Sequence, residues 1–205
     1  MNNPLLEEHH LPPFNAIEIK HMKPAIEARI EQIWSVLNKQ LAIIEQGEPA
    51  SWQNIVVPLE EVSDLLNQSW SPVSHLNGVQ NSDELRVVYT ECIELLTDFG
   101  TAIDQHQPLF KAYESLRSSA AFAALTGPQQ KVVTDALRDF RLAGVDLPTA
   151  KKQRYGELQK QLSSLSINFS NNLLDATQAW FRHFDAAAAL SGLPEGALAS
   201  AEQTA

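Results

Sequence analysis

The stretch YGELQKQLSSLSINFSNNL, residues 155–173, decides how the chain folds. Its large side chains Tyr155, Leu158, Leu162, Leu165, Phe169 and Leu173 step by 3, 4, 3, 4 and 4. Such steps return a side chain to one face of a helix with about 3.6 residues per turn, whereas a half-buried strand alternates every second residue. A seam sustained this long predicts a long helix packed against a neighbour in a bundle. The helix begins near Pro148, and its pattern can be followed through Trp180 to Phe184. Gly192 and Pro194 interrupt it, and a last short helix starts at Glu195.

The rest of the chain has the same grammar. Ile26, Ile30, Ile33, Leu37, Leu41 and Ile44 step by 4, 3, 4, 4 and 3, with Pro24 suited to the first helical position. Gly47 followed by Pro49 ends that helix. Ser51 is an N-cap for a second helix carrying Leu59, Val62, Leu66 and Trp70, with Pro58 near its start or kinking it. Pro72 lacks a backbone donor and restricts its predecessor, so this helix is expected to stop by Ser71 and leave residues 73–81 as a loop. Ser82, Asp83 and Glu84 open a third helix, with Leu85, Val88, Cys92, Leu95, Phe99 and Ile103 on its stripe. Shorter helical pieces follow around Leu109–Leu116 and residues 120–124, and Gly127-Pro128 precedes a helix with Val133, Leu137 and Phe140 that Gly144 stops.

The fold class is therefore all-α, a multi-helix bundle-like array of about six or seven helices with an extended N-terminal arm. The arm spans 1–22, the bundle 23–185, and 186–205 starts a further segment. Pro4, Pro12 and Pro13 keep the arm extended, with Leu5, Leu6, Leu11, Phe14 and Ile17 available to pack. Residues 197–205 start a helical pattern that ends without a stop signal, so the chain reads as a piece of a longer one.

Composition narrows the function classes. The 205 residues are 44% hydrophobic and 20% charged, as in a globular domain. Fifteen basic against 25 acidic residues leave a charge of −10, which repels phosphate backbones. The tightest basic cluster is only Lys151, Lys152 and Arg154, so no nucleic-acid partner is expected. No run approaches the ~18 apolar residues of a membrane span, and residues 1–10 lack the pattern of a secretory leader. No membrane partner is expected and the location is read as cytoplasmic. Cys92, the one cysteine, excludes an intrachain disulfide and reads as a small core residue.

No catalytic constellation emerges. A common zinc peptidase needs two histidines four apart on one helix face, with a glutamate after the first to polarise the attacking water. No histidine pair here has that spacing. His9 and His10 follow Glu7 and Glu8 in the arm, where a solvated tail outweighs a metal cluster; His21, His75, His106 and His183 are each isolated. Cys92 has no nucleophile elbow, and no phosphate-binding glycine loop occurs. Glu60 with Glu61, and Asp83 with Glu84, read as solvated helix surface, while Trp34, Trp70, Phe99, Phe140, Phe169 and Trp180 fall at core spacing. The residues thus assign no catalytic, cofactor-binding or metal position.

Several strings are more specific than periodicity. NPLL at 3–6, LPPF at 11–14, SPVSHLN at 71–77, NSDELR at 81–86 and LRDFRLAG at 137–144 follow one another along the chain. KQRYGE at 152–157, NFSNNLLDAT at 168–177 and LSGLPE at 190–195 complete the series. In this order they resemble the N-terminal portion of the oligopeptidase A branch of the thimet-oligopeptidase-like zinc peptidases. The resemblance implies an almost wholly helical, two-lobed enzyme whose deep channel admits short peptides and excludes folded proteins. It implies zinc held by an H-E-x-x-H motif in the later half of the full-length protein, which nothing here matches. This chain would then be a non-catalytic segment walling the substrate channel, inactive alone, with short peptides and the missing catalytic lobe as partners of the whole. The loop expected around His75 and Asn77 would line that channel or merely connect helices. Seams left uncovered would favour self-association. The alternative is a stand-alone helical protein-interaction module without enzymatic activity.

Overall fold

The computed structural model describes residues 3–184 and 190–204. Among them there are eight α-helices and no strand: α1 Ile19–Glu45, α2 Val57–Val79, α3 Asp83–Asp104, α4 Gln107–Arg117, α5 Ala120–Ala123, α6 Gly127–Leu142, α7 Thr149–Ala179 and α8 Glu195–Thr204. The arm contains two 3-10 turns, Pro4–Leu6 and Phe14–Ala16, and a π-helical turn Trp52–Val56 leads into α2. The chain divides into two compact units, residues 1–164 and 165–205, so α7 contributes to both.

Helix boundaries follow local chemistry. Gly47 has φ +106° after α1, where its N–H reaches Ile44 O at 3.0 Å and the Glu48 N–H reaches Ile43 O at 3.3 Å. Gly144 has φ +84° after α6, with its N–H on Arg141 O and the Val145 N–H on Phe140 O, both at 3.0 Å. Both are Schellman caps, which satisfy carbonyls the helix leaves unpaired. Ser51 and Asn54 cap each other reciprocally at 2.8 and 3.2 Å, and Ser82 Oγ accepts from Leu85 N at 3.2 Å.

Proline placement departs from the sequence expectation twice. α1 begins at Ile19, so Pro24 lies inside it, and α2 runs through Pro72 to Val79 with no loop at 73–79. An interior proline costs ~3 kcal/mol or more. Burying Val73 and Leu76, 0% and 8% exposed, returns about 1.5–3 kcal/mol each. Pro72 is itself buried, so packing overrides the local break. Met22, Ala25 and Ile26, at 2%, 0% and 0% exposed, do the same around Pro24.

Unit 1 holds every buried residue of the described chain, most of them in two clusters that both draw on α1. Met22, Ala25 and Ile26 join Leu5, Val73, Leu76, Leu85 and Cys92 in one. Leu37 and Leu41 join Ile55, Val56, Leu116, Val133, Phe140 and others in the second. Cys92 is fully buried, as its place on the stripe predicts. The first half of α7 is seated on α3 by polar contacts, Lys160 Nζ to Asp98 Oδ2 at 2.9 Å and Thr97 Oγ1 to Ser163 Oγ at 2.9 Å.

The long seam of α7 has no buried residue. Leu158 and Leu162 in unit 1 are 48% and 60% exposed, and Leu165, Phe169 and Leu173 in unit 2 are 65%, 70% and 58% exposed. Phe169 and Trp180, 70% and 75% exposed, are not core. α7 ends at Ala179, leaving Trp180 and Phe184 beyond it. A helix whose apolar face is uncovered has only propensity to propagate it. The boundary expected at 185/186 lies outside the described residues.

Candidate functional site

The arm is held by hydrogen bonds rather than by apolar packing alone. Asn3 accepts from Leu5 N at 3.0 Å and donates through Nδ2 to His21 O at 2.8 Å. The carbonyls at the end of the 3-10 turn, Leu5 O and Leu6 O, accept from Ser69 Oγ at 2.6 Å and from Arg29 Nη2 at 3.0 Å. Arg29 also donates from Nε to Ser69 Oγ at 3.1 Å and from Nη1 to Gln32 Oε1 at 3.0 Å. Arg29 is 9% exposed, and its guanidinium hydrogen-bonds no carboxylate among the described residues. Burial lowers its pKa, and the charge of Glu8 opposes that. Beside it lies a cavity of about 390 Å³ between the arm, α1 and α2, lined by Glu7, His9, His10 and Gln68 among others.

This cavity wall is where the Glu7-Glu8-His9-His10 run arrives. His9 Nε2 stands 3.7 Å from Glu7 Oε2. His75, on α2, packs on the Phe14 ring at 5.3 Å between centroids, and Asn77 accepts from Asn81 Nδ2 through both its oxygens at 2.9 and 3.1 Å. His21 Nδ1 accepts from Glu18 N at 3.0 Å, and His106 Nδ1 accepts from Leu109 N at 3.3 Å as an N-cap. His9 and His10 line this cavity together, and His9 and His21 border a neighbouring one. Among the described residues, no group of three or more His, Cys, Asp or Glu could hold a metal ion.

A second cavity opens in the helical array of unit 1, with a volume of about 220 Å³. Ile33 of α1, Phe99 of α3, Leu109 of α4 and Phe140 of α6 give it an apolar floor, and the Tyr113 ring meets Phe140 edge-on at 5.6 Å. Glu60, Asp104 and Asp139 form its rim, from α2, α3 and α6. Asp104 keeps a solvent-facing side. Desolvation on its inner side, ahead of the charge of Asp139, raises its carboxyl pKa. Burial, with Glu60 adding, pushes the Tyr113 hydroxyl up to about 12.

Sequence reasoning missed Arg29, Tyr113, Asp104 and Asp139. Arg29 left one usable mark. It lies between Ile26 and Ile33 on the core face of α1, where a charged residue breaks an otherwise apolar stripe. The other three sit on different helices and come together only through packing.

Residues 30–152 match the family described as "Neurolysin/Thimet oligopeptidase, N-terminal domain". Over 205 residues the chain is 44% identical to oligopeptidase A of Haemophilus influenzae, covering all of this chain and 30% of that protein. It is 44% identical over 202 residues to oligopeptidase A of Escherichia coli, 98% of this chain and 29% of the relative. It is 30% identical over 197 residues to a probable cytosolic oligopeptidase A of Arabidopsis thaliana, 96% of this chain and 28% of the relative. The chain therefore spans about 30% of the length of these curated relatives. The zinc that the resemblance implies finds no ligand set among the described residues, so no catalytic step is assigned to them. By its match and its helical architecture, the chain belongs to the neurolysin/thimet oligopeptidase family, as that family's N-terminal domain.

Proposed function

We propose that this chain is the non-catalytic helical part of a zinc-dependent oligopeptidase that cleaves short peptides in the cytoplasm, where it helps to wall the substrate channel. The observation that carries this is the 44% identity running the whole length of this chain against 30% of a protein named oligopeptidase A. In this reading zinc binding and water activation belong to sequence outside these 205 residues, where the resemblance places the H-E-x-x-H motif. A wall must be shaped without being reactive. A helical array in which His21 and His106 cap helices and His75 packs on a ring meets that need. Among the described residues no helix is long and apolar enough to cross a membrane.

The test is peptide hydrolysis with metal analysis. The 205-residue protein is expected to carry no stoichiometric zinc and to leave a quenched fluorogenic short peptide intact. A longer chain that includes an H-E-x-x-H segment is expected to cleave that peptide and to spare a folded protein. Zinc-dependent turnover by the 205 residues alone overturns the reading.

A further inference from the structure

We infer that the cleft over Tyr113 is a binding site for a guanidinium cation, as carried by an arginine side chain or a small alkylguanidine. The inference does not rest on the peptidase reading, because every residue it uses lies within unit 1.

Three acids at a rim are by themselves ordinary helix surface. The cleft adds a buried tyrosine whose hydroxyl has no protein partner among the described residues. Tyr113 is 6% exposed, and its hydroxyl makes no hydrogen bond among the described residues. No enclosed polar side-chain atom among the described residues lacks a partner, so this hydroxyl keeps an accessible face, and Tyr113 is one of the residues that line the cavity. Nor do Glu60 and Asp104 pair with any basic side chain among the described residues. Asp139 engages Arg138 through Oδ1 alone, at 2.8 Å, and leaves Oδ2 free of that contact. No lysine or arginine lines the cleft. The site thus offers the unpaired charges of Glu60 and Asp104, and one free oxygen of the paired Asp139, above an aromatic and aliphatic floor.

That combination fits guanidinium better than its rivals. A planar, weakly hydrated cation loses little on leaving water, lies against the rings of Phe99, Tyr113 or Phe140, and spreads five donors over separate acceptors. An ammonium is a compact, strongly hydrated charge that an apolar floor serves poorly. A metal ion is the weaker fit, because these carboxylates do not gather as a ligand group.

The experiment titrates propylguanidinium into the 205-residue protein, followed by amide NMR shifts, with propylurea as the neutral isostere. Saturable shifts centred on the amides of Asp104, Tyr113 and Asp139 are expected, with propylurea weaker by about tenfold or more, since charge-assisted hydrogen bonds dominate such recognition. Asp104→Asn and Glu60→Gln should each weaken propylguanidinium severalfold. Tyr113→Phe should weaken it while leaving the urea midpoint of unfolding unchanged, because the hydroxyl has no partner to lose. Circular dichroism confirms that each variant is folded. Equal binding of propylurea, shifts spread over the whole acidic surface, rim variants that bind like the parent, or no shift at about 0.1 M ligand would each overturn the site.

Discussion

Replacing Arg29 with methionine separates the stability of the arm from that of the bundle. Methionine keeps most of the aliphatic stem, so the core face of α1 stays filled, and only the guanidinium and its three hydrogen bonds are removed. Two opposing terms follow. The bonds to Ser69 and Leu6 are charge-assisted and contribute ~1.5–3 kcal/mol each when formed. Against them stands the desolvation of a charge with no ion-pair partner, several kcal/mol in an apolar setting and relieved by the substitution. For the bundle as a whole these nearly cancel, and the urea midpoint should change by less than about 1 kcal/mol in equivalent free energy. The arm feels only the loss, since Leu6 O gives up its sole side-chain donor. A loss of ~2 kcal/mol there means opening about thirty times more often. Hydrogen exchange reads this directly. The amides of Leu5 and Leu6, bonded to Asn3 Oδ1 and Asn3 O, should exchange about thirtyfold faster in Arg29→Met, with the middle of α1 unchanged. Arg29→Lys should fail to rescue them, because one ammonium cannot reach three partners in three directions. Unchanged exchange at Leu5 and Leu6, or an equal acceleration along α1, would refute the clamp.

Gly144→Ala places a β-carbon in the left-handed region at φ +84°, 2.5 Å from Leu147 Cδ1. Leu147 is 37% exposed and can turn away, so the expected loss is the backbone term, about 1–2 kcal/mol by urea denaturation; a stability equal to the parent would contradict the cap. For Cys92, burial first and Glu91 second push the thiol from near 9.0 up to about 11, so the folded protein holds that proton to higher pH than the unfolded chain does. Stability is therefore complete below pH 9 and declines as the pH rises toward 11, by up to ~3 kcal/mol, and the decline should vanish in Cys92→Ala. Rapid labelling of the native thiol by a disulfide reagent at pH 8, faster than global unfolding, would contradict its burial.

Helix order and caps were legible because they depend on nearest neighbours. Gly47, Ser51, Ser82 and Gly144 act within one turn of their own positions, and the structure uses each as its residue type predicts. Pro24 and Pro72 were misread for the opposite reason. Their local penalty is correct, but Met22, Ile26, Val73 and Leu76 repay it through contacts with residues far away in sequence. The cleft over Tyr113 was illegible for the same reason, since it draws on five helices and no two of its acids are close in the chain.

The α7 seam shows what periodicity can and cannot carry. Leu158, Leu162, Leu165, Phe169 and Leu173 specify a helix and a face, and both are present. A face is a statement about which residues need covering, with no information about what covers them. The described chain leaves all five more than two-fifths open to solvent. Exposing large side chains in so regular a row is unfavourable in water, at about 25 cal/mol for each Å² that could be buried. The relatives, which are about three times as long as the part matched here, have ample chain to supply the covering surface. In the peptidase proposed above, the catalytic lobe is the surface assigned to cover this face.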